Sequence, residues 1–441
     1  MDPKVVVSGA GVAGLLLALS LKKMGLNPVV FEQAPEFGEG VGGAIGLYPN
    51  GLQIIKDISP DLLKTIRAYG RPYRLRKWMR HDGTVIAVGK ESAMVEWKNH
   101  QQESELSSMG IRRWLLQKAL TDACLNAGIQ IFMNTRINAV KHLSNGTVEL
   151  QLSNNKVYTT DLLFGCDGVK SAIRGSLFGG GKEDIEPKYT GITCLMGAAP
   201  IAAQSPIDGI CFPSSLTTNA HACYYPANDK EIIFQIFFPM DEKPETWKPL
   251  TVEEAKVECD QLRNTLIQDG WHPMFTDPLA HADSVLRVGL RAREPIPVWH
   301  SPLNNPSVFL LGDAAHPPVP YIGQGAMMAI EDVGILSLLL QELCKPTAQS
   351  TFQKSNLNKV ARLYERLHIP RTTEILEAST RLGQMQLQRA TSKNVNEILE
   401  KELEIKELVA KYGTLPIMFK GARYDYRQEV QRVLRDNSSK L

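Results

Sequence analysis

Residues 4–32 constrain the fold more than any other stretch. "KVVVS" is a short apolar run of the kind that forms a buried parallel strand. "GAGVAG" follows without a spacer, "LLLALSLKKMG" has the pattern of a helix ending at Gly25, and "NPVVFE" is a second strand ending at Glu32. This β-α-β order sets Gly9, Gly11 and Gly14 in G-x-G-x-x-G register between strand and helix. Gly9 permits the tight turn, Gly11 lets the backbone approach a pyrophosphate, and Gly14 lets helix and strand pack closely. The pyrophosphate then meets the helix N-terminus, where free N–H groups and the dipole favour an anion. Glu32 stands about 20 residues on, where an acid accepts hydrogen bonds from ribose hydroxyls. A dinucleotide site in a Rossmann-like α/β domain is expected, and this motif alone does not choose between NAD and FAD. No second such motif occurs in the same context, which argues against a two-Rossmann reductase.

Composition narrows the class. A chain of 441 residues is too long for one simple core, so two domains are expected. The formal net charge is only +2 and no basic block is interleaved with aromatics, so nucleic acid is not an expected partner. The seven cysteines form no CxxC pair, which fits reduced thiols and cytoplasmic placement better than disulfides or a metal site. "MDPKVVVSGAG" leads straight into a strand, without the look of a signal peptide. No run approaches the ~20 apolar residues of a membrane span.

After Glu32 comes a glycine-rich loop, "EFGEGVGGAIGLYPN". Helical spacing resumes in "GLQIIKDI" and "PDLLKTIRAYG", and a DG turn in "YRLRKWMRHDGTVIAVG" predicts a hairpin. "IRRWLLQKALTDACLNAG" is an amphipathic helix ending at Gly128. From about Glu186 to Pro297 the texture turns β-rich ("GITCLMG", "ACYYPA", "EIIFQIFFP") around one helix, "TVEEAKVECDQLRNTLIQDG". This predicts an inserted, mostly antiparallel sheet. From Ala361 to about Tyr412 the chain is strongly helical. "NVNEILEKELEIKELVAKYG" has the pattern of a packed outer helix rather than a functional element.

Two further motifs select the cofactor. "LLFGCDGVKSAIR" ends an apolar strand at Asp167-Gly168, where the carboxylate serves either a ligand or a turn or helix cap. "VFLLGDAAHPPVPYIGQGAMMAIEDV" ends another strand near Asp313, followed by Pro317, Pro318 and Pro320, then a helix opened by Gly323-Gln324-Gly325. A flavin's ribityl chain lies next to its pyrophosphate, and Asp313 is placed to accept its hydroxyls. The helix N-terminus then faces the pyrimidine edge, where negative charge develops on reduction.

Together and in this order, "GAGVAG", "CDGVKSAIR" and "GDAAHPPVPYIGQGAMMAIED" resemble the single-component, class A FAD-dependent aromatic monooxygenases. The Gly323-Gln324-Gly325 and Glu331-Asp332 region is similar to the salicylate hydroxylase and zeaxanthin epoxidase branch and to fungal secondary-metabolite hydroxylases. The resemblance covers the chain to about residue 375. It implies a para-hydroxybenzoate hydroxylase-like fold: an FAD-binding domain from 1–75, 105–180 and 298–375, a substrate domain from 76–104 and 181–297, and a C-terminal helical segment, 376–441. It implies that Glu32 binds the adenosine ribose and that Ala44 contacts the flavin through its backbone. Arg113, with Arg112 as the neighbouring alternative, would lie near the FAD phosphates. Asp167 matches a motif linked to FAD and NADPH, Asp313 matches the ribityl-binding aspartate, and Gly325 and Ala326 would meet the isoalloxazine.

In such enzymes NADPH (or NADH) reduces the flavin, and O₂ then gives a C4a-hydroperoxide that transfers one oxygen to a small cyclic or aromatic substrate by hydroxylation or epoxidation. Because the cofactor carries this chemistry, the absence of a catalytic triad is expected. The prolines form a donor-poor wall suited to a dry pocket, and His316 is read as structural rather than as a proton donor. Tyr225, in "HACYYPAND", matches a strand tyrosine that holds or deprotonates substrate in related hydroxylases; packing of one of Tyr224 and Tyr225 with the other facing solvent is the plainer alternative. Some relatives carry an arginine just after a motif like "KYTGITCLMG", where Thr193, Cys194 and Leu195 stand here. That departure favours a substrate needing no deprotonation, such as an olefin or indole. The expected assembly is a monomer or homodimer. A different flavoenzyme is the second reading, but a halogenase lacks its W-x-W-x-I-P signature here, and an oxidase leaves "CDGVKSAIR" unexplained. A nucleotide-binding protein without activity is the third.

Overall fold

The computed structural model describes residues 4–38, 43–179, 187–201, 208–215, 217–218, 220–243, 249–302, 306–345, 354–389 and 395–438. Residues 39–42 of the glycine-rich loop lie outside them. The strands, in chain order, are β1 (Val5–Ser8), β2 (Pro28–Phe31), β3 (Ala44–Leu47), β4 (Arg71–Pro72), β5 (Leu75–Arg80), β6 (Val85–Lys90), β7 (Met109–Arg112), β8 (Gln130–Phe132), β9 (Ile137–His142), β10 (Val148–Leu152), β11 (Val157–Thr160), β12 (Leu162–Gly165), β13 (Lys188–Pro200), β14 (Ile210–Ser214), β15 (His221–Pro226), β16 (Glu231–Pro239), β17 (Asp283–Ala292) and β18 (Val308–Leu310).

Five of them form a parallel sheet in the order β18-β12-β1-β2-β8. Val5, Val6 and Val7 are fully buried, as a strand covered on both faces requires. Helix α1 (Val12–Lys23) is buried along most of its length and packs against a second long helix, 325–344, where the hydroxyls of Ser20 and Ser337 meet at 2.8 Å. The DG hairpin forms as expected: β5 and β6 pair antiparallel, and Gly83 takes φ +92°.

The second large sheet has seven strands, β17-β13-β16-β15-β14-β5-β6, antiparallel except for the β14/β5 pair. Its outer face carries two helices where the sequence suggested one, 252–268 and 273–280. The extra helix has a local cause: Pro273 occupies its first turn, and the His272 ring accepts the Met274 N–H at 3.2 Å. Tyr224, Trp271 and Phe275 fill the core between these helices and the sheet. A three-stranded sheet, β3-β7-β4, lies between the two large sheets, and β9, β10 and β11 form a separate antiparallel meander.

The described residues of the C-terminal segment are mostly helical. It comprises helices 357–389, 395–412, 416–422 and 426–438. The last helix, 426–438, is amphipathic, with Val430 and Val433 buried against the first core.

Candidate active site between the two sheets

The glycine turn is built as its spacing implies. Gly9 sits at φ +97°, and a Cβ there would come within 2.3 Å of the Cys166 carbonyl oxygen. A Cβ on Gly14 would lie 1.9 Å from the Gly9 carbonyl oxygen, so strand and helix are as close as glycine allows. A Cβ on Gly11 would meet nothing within 4 Å, which leaves the backbone open to a ligand. No side chain caps α1, so its first N–H groups face that same space. Glu32 braces the turn, accepting from the Ala10 N–H at 2.7 Å and the Ala34 N–H at 2.8 Å.

From this turn a cavity of about 790 Å³ runs to the face of the seven-stranded sheet. Gly11, Arg113, Asp313, Gly325 and Ala326 line it beside the turn, Tyr225 lines it from the sheet, and Ala44 lines it close to Tyr225. Asp313 follows β18 in a short 3-10 turn and opens its carboxylate onto the cavity. The surrounding protein pushes that carboxyl above its ordinary value, with His316 and Arg113 pulling the other way. The helix 325–344 begins two residues later than the glycines suggest, after Gly323 at φ +67°, and no side chain caps it. Two uncapped helix ends, at Gly11–Ala13 and Gly325–Ala326, therefore converge on one cavity.

The two adjacent arginines separate cleanly. Arg112 is buried and paired: its guanidinium lies 2.9 Å from Glu231 and 3.0 Å from Asp283, bridging the small sheet to the large one. Arg113 is exposed to the cavity, and its N–H donates to the Gly43 carbonyl at 3.0 Å.

Asp167 is not among the cavity-lining residues, although Cys166 and Gly168 are. One of its oxygens accepts from the Ser171 hydroxyl at 2.6 Å, and the other from the Ala172 and Ile173 N–H groups at 2.9 and 3.3 Å. The carboxylate thus holds the start of the helix 172–178, the cap alternative of the sequence reading. The same turn supplies Arg174, which donates to the Ala315 carbonyl at 3.3 Å and the Glu294 carbonyl at 3.3 Å. The Asp167 and Asp313 motifs are tied together through this arginine.

His316 does not line the cavity. Its Nε2 lies 2.7 Å from Asp332, whose other oxygen accepts from Tyr364 at 2.7 Å and lies 3.1 Å from the His368 Nε2. Asp332 also accepts the Gly312 N–H at 2.6 Å, fixing the turn that presents Asp313. Burial would raise the Asp332 carboxyl, but His316 and His368 hold it well below the usual carboxylate range. Burial likewise lowers the His316 imidazole, and the Asp332 charge overrides it, leaving it above its ordinary value.

Tyr224 and Tyr225 point to opposite faces, and neither faces solvent. Tyr224 donates to the Phe275 carbonyl at 2.7 Å in the outer core. Tyr225 accepts from Gln235 Nε2 at 3.3 Å, and that nitrogen is also 3.4 Å from the Ala44 carbonyl. Gly110 allows the approach, since a Cβ there would lie 2.7 Å from the Tyr225 ring. Burial raises the Tyr225 phenol well above its ordinary value, and Cys223, Tyr48 and Cys194 raise it further. It stays protonated at neutral pH.

Several lining residues escape the sequence reading. Gln235 and His221 face the cavity; a single polar residue within "EIIFQIFFP" was the signal for the first, and alternation with Cys223 and Tyr225 for the second. The His221 ring stacks on Phe237 at 5.0 Å and meets Tyr321 of the proline loop at 5.3 Å. The largest correction concerns the C-terminus. Arg381 and Leu382, Lys401, Ile405 and Leu408, and Leu415 to Met418 form a wall of the cavity, so the helix 395–412 is not merely an outer layer.

Comparisons with known proteins agree with this architecture. The family model described as FAD binding domain matches residues 2–359. The chain is 29% identical over 388 residues to 3-amino-4-hydroxybenzoate 2-monooxygenase of Streptomyces cremeus, covering 87% of each. It is 30% identical over 354 residues to the chloroplastic zeaxanthin epoxidase of Solanum lycopersicum, covering 78% of this chain and 49% of that one. A salicylate hydroxylase substrate complex superposes with a TM-score of 0.74 at 20% identity, covering 98% of both chains.

Proposed function

Because this chain belongs to the FAD binding domain family and is an FAD-dependent monooxygenase, we propose that it uses NAD(P)H and O₂ to insert one oxygen atom into a small cyclic organic substrate. The reaction balances as substrate, O₂, NAD(P)H and a proton giving oxygenated substrate, NAD(P)⁺ and water. The observation that carries this reading is the single cavity joining the Gly11 turn and Asp313 to Tyr225 and Gln235. Bound FAD supplies hydride acceptance and oxygen activation, and the chain supplies binding, orientation and dryness.

The assignments of Gly11, Ala44, Arg113, Asp313, Gly325 and Ala326 follow position in the cavity, and those of Gly9, Gly14 and Glu32, which do not line it, follow the glycine turn that Glu32 braces. Gly9, Gly11 and Gly14 shape the pyrophosphate cradle, Glu32 takes the adenosine ribose, and Arg113 lies near the phosphates. Asp313 takes the ribityl hydroxyls, while the backbones of Ala44, Gly325 and Ala326 meet the flavin ring. Asp167 serves the cofactor through the helix and the Arg174 bridge that it holds, rather than by direct contact. Pro318 and Pro320 offer no N–H to water beside the ring. Tyr225 keeps its proton and positions substrate. The two large sheets divide the work: the cofactor unit draws on 1–75, 105–180 and 298–375, and the substrate unit on 76–104 and 181–297. Of the segment 376–441, the lining residues between Ala378 and Met418 serve the substrate unit as a wall, whereas the helix 426–438 packs on the cofactor unit. Seven free thiols favour a reducing, cytoplasmic compartment. No helix among the described residues is long and apolar enough to cross a membrane. One chain encloses the whole cavity, so a monomer suffices, alone or within a homodimer.

The test is purification followed by turnover with ¹⁸O₂. The protein should be yellow, NADPH should bleach it, and product mass should rise by one labelled oxygen. A flavin never bleached by NADPH, with any candidate substrate, would sink the assignment in favour of an oxidase.

A further inference from the structure

The cavity is chemically divided. Its cofactor end carries the charges of Arg113 and Asp313. The sheet face that lines the remainder presents aromatic and apolar side chains, such as Trp78, Phe212 and Phe237. Its polar lining is Ser214, His221, Tyr225 and Gln235, with no carboxylate, ammonium or guanidinium among the described residues. Arg76 is on the same face but behind the lining. It is 2% exposed, 2.9 Å from the Ser108 hydroxyl and 3.6 Å from the equally buried Glu91, which balances its charge. The opposite wall is helical and apolar, through Ile405, Leu408, Ile417 and Met418. Among the described residues, charges there fall on Arg381, Lys401 and Glu404, of which Arg381 and Glu404 are exposed and Lys401 half-buried.

We propose that the substrate is a neutral, bulky, largely apolar fused-ring molecule. Its one donor–acceptor group, a lactam or phenol, is read by Gln235 and Tyr225, and its far end packs on the C-terminal helices. This rests on the monooxygenase reading of the cavity and narrows its substrate. A ring carboxylate on the sheet face would meet hydrogen-bond donors but no guanidinium or ammonium among the described residues, and a buried charge without a counter-ion costs more than packing returns. The Streptomyces cremeus relative is named for a benzoate, an acid; among the described residues this sheet wall offers such an acid no guanidinium or ammonium. Beyond the cofactor end, apolar surface faces the space from both the sheet and the helical wall. Gln235 Nε2 is shared between Tyr225 and the Ala44 carbonyl, which leaves its Oε1 and the Tyr225 hydroxyl proton without a described partner. One acceptor and one donor, adjacent and neutral, match a group that offers the reverse pair.

The test uses the FAD-loaded full chain and matched ligands: 2-naphthol against 3-hydroxy-2-naphthoate, and 2-quinolone against 2-quinolone-4-carboxylate. Binding is read from the flavin difference spectrum, and product is measured separately. Neutral members should bind at least about tenfold more tightly. Gln235→Leu should weaken 2-quinolone about fivefold to tenfold while leaving naphthalene unchanged. Leu408→Trp should exclude the fused rings while FAD content stays at the wild-type ratio, and Gln235→Arg should shift preference toward the acids. Equal or tighter binding of the acids, or no spectral response to any neutral ring, overturns the proposal. Neutral binding without oxygenated product speaks against the monooxygenase reading alone, and oxygenation of the acids speaks against the substrate class alone.

Discussion

Asp332 shows how much a single buried carboxylate determines here. It accepts from Gly312 and Tyr364 and pairs with His316 and His368, and the turn that presents Asp313 depends on it. Asp332→Ala should cost about 3–5 kcal/mol of stability, because two imidazoles and an N–H lose their buried partner. The pH dependence has a definite sign. A depressed carboxyl contributes above its ordinary value of 3.8 and loses that contribution as pH falls through its folded value. A raised imidazole contributes fully below 6.5 and loses that contribution as pH rises through its folded value. The wild-type advantage over Asp332→Ala should therefore be greatest between 3.8 and 6.5 and shrink on both sides in pH-dependent melting curves. Tyr225 gives the complementary case. Its phenol is raised by burial, so the rate profile from about pH 6 to 9 should show no limb belonging to it. Tyr225→Phe should weaken substrate about tenfold, as loss of one hydrogen bond predicts, with FAD content unchanged. A limb in that range that vanishes in Tyr225→Phe would instead make the tyrosine a base.

At the scale of elements, the glycine turn separates folding from binding. A Cβ at position 14 collides with the Gly9 carbonyl at 1.9 Å, whereas one at position 11 meets no protein atom. Gly14→Ala should lower the melting temperature and the yield of folded protein. Gly11→Ala should melt like the wild-type apoprotein yet bind FAD at least tenfold more weakly, since the methyl group occupies ligand space. Equal FAD affinity in Gly11→Ala, measured by flavin fluorescence quenching, would remove the pyrophosphate from this turn. The strand and helix periods were legible in such segments because a strand buried on both faces and a glycine turn are local patterns. The second helix on the outer face, 273–280, was not. Its stability comes from Phe275 and Leu279 packing into a core that the strands supply, and Pro278 within it argues against a helix on propensity alone.

For the molecule as a whole, the C-terminal helices close the cavity. They are latched by Glu402, which accepts from Arg80 of β5 at 2.8 and 2.6 Å, and by Gly89, where a Cβ would lie 1.9 Å from the Gly413 carbonyl. Ser379 donates to the Val319 carbonyl at 2.6 Å, and the Arg371 guanidinium lies 3.8 Å over the Tyr424 ring while gripping Glu331. Glu402→Ala should loosen this wall, leaving FAD bound but diverting NADPH electrons to peroxide several-fold more often, because water reaches the reaction. Peroxide formed per NADPH consumed is the measurement, and an unchanged ratio would separate the wall from coupling. The sequence by itself determined the local shape of the glycine turn and of the strand ends proposed to hold the cofactor. Glycine spacing, a strand-end acid and an uncapped helix start each lie within one short segment, and local geometry there fixes what they can hold. Even the choice between Arg112 and Arg113 stayed open until Glu231 and Asp283, more than a hundred residues away in sequence, took up the first. Only the tertiary structure decided the substrate half. Gln235, His221 and the helices after residue 376 acquire their meaning from which sheet face and which wall they share. That depends on strand order and helix docking across the whole chain, which no segment encodes alone.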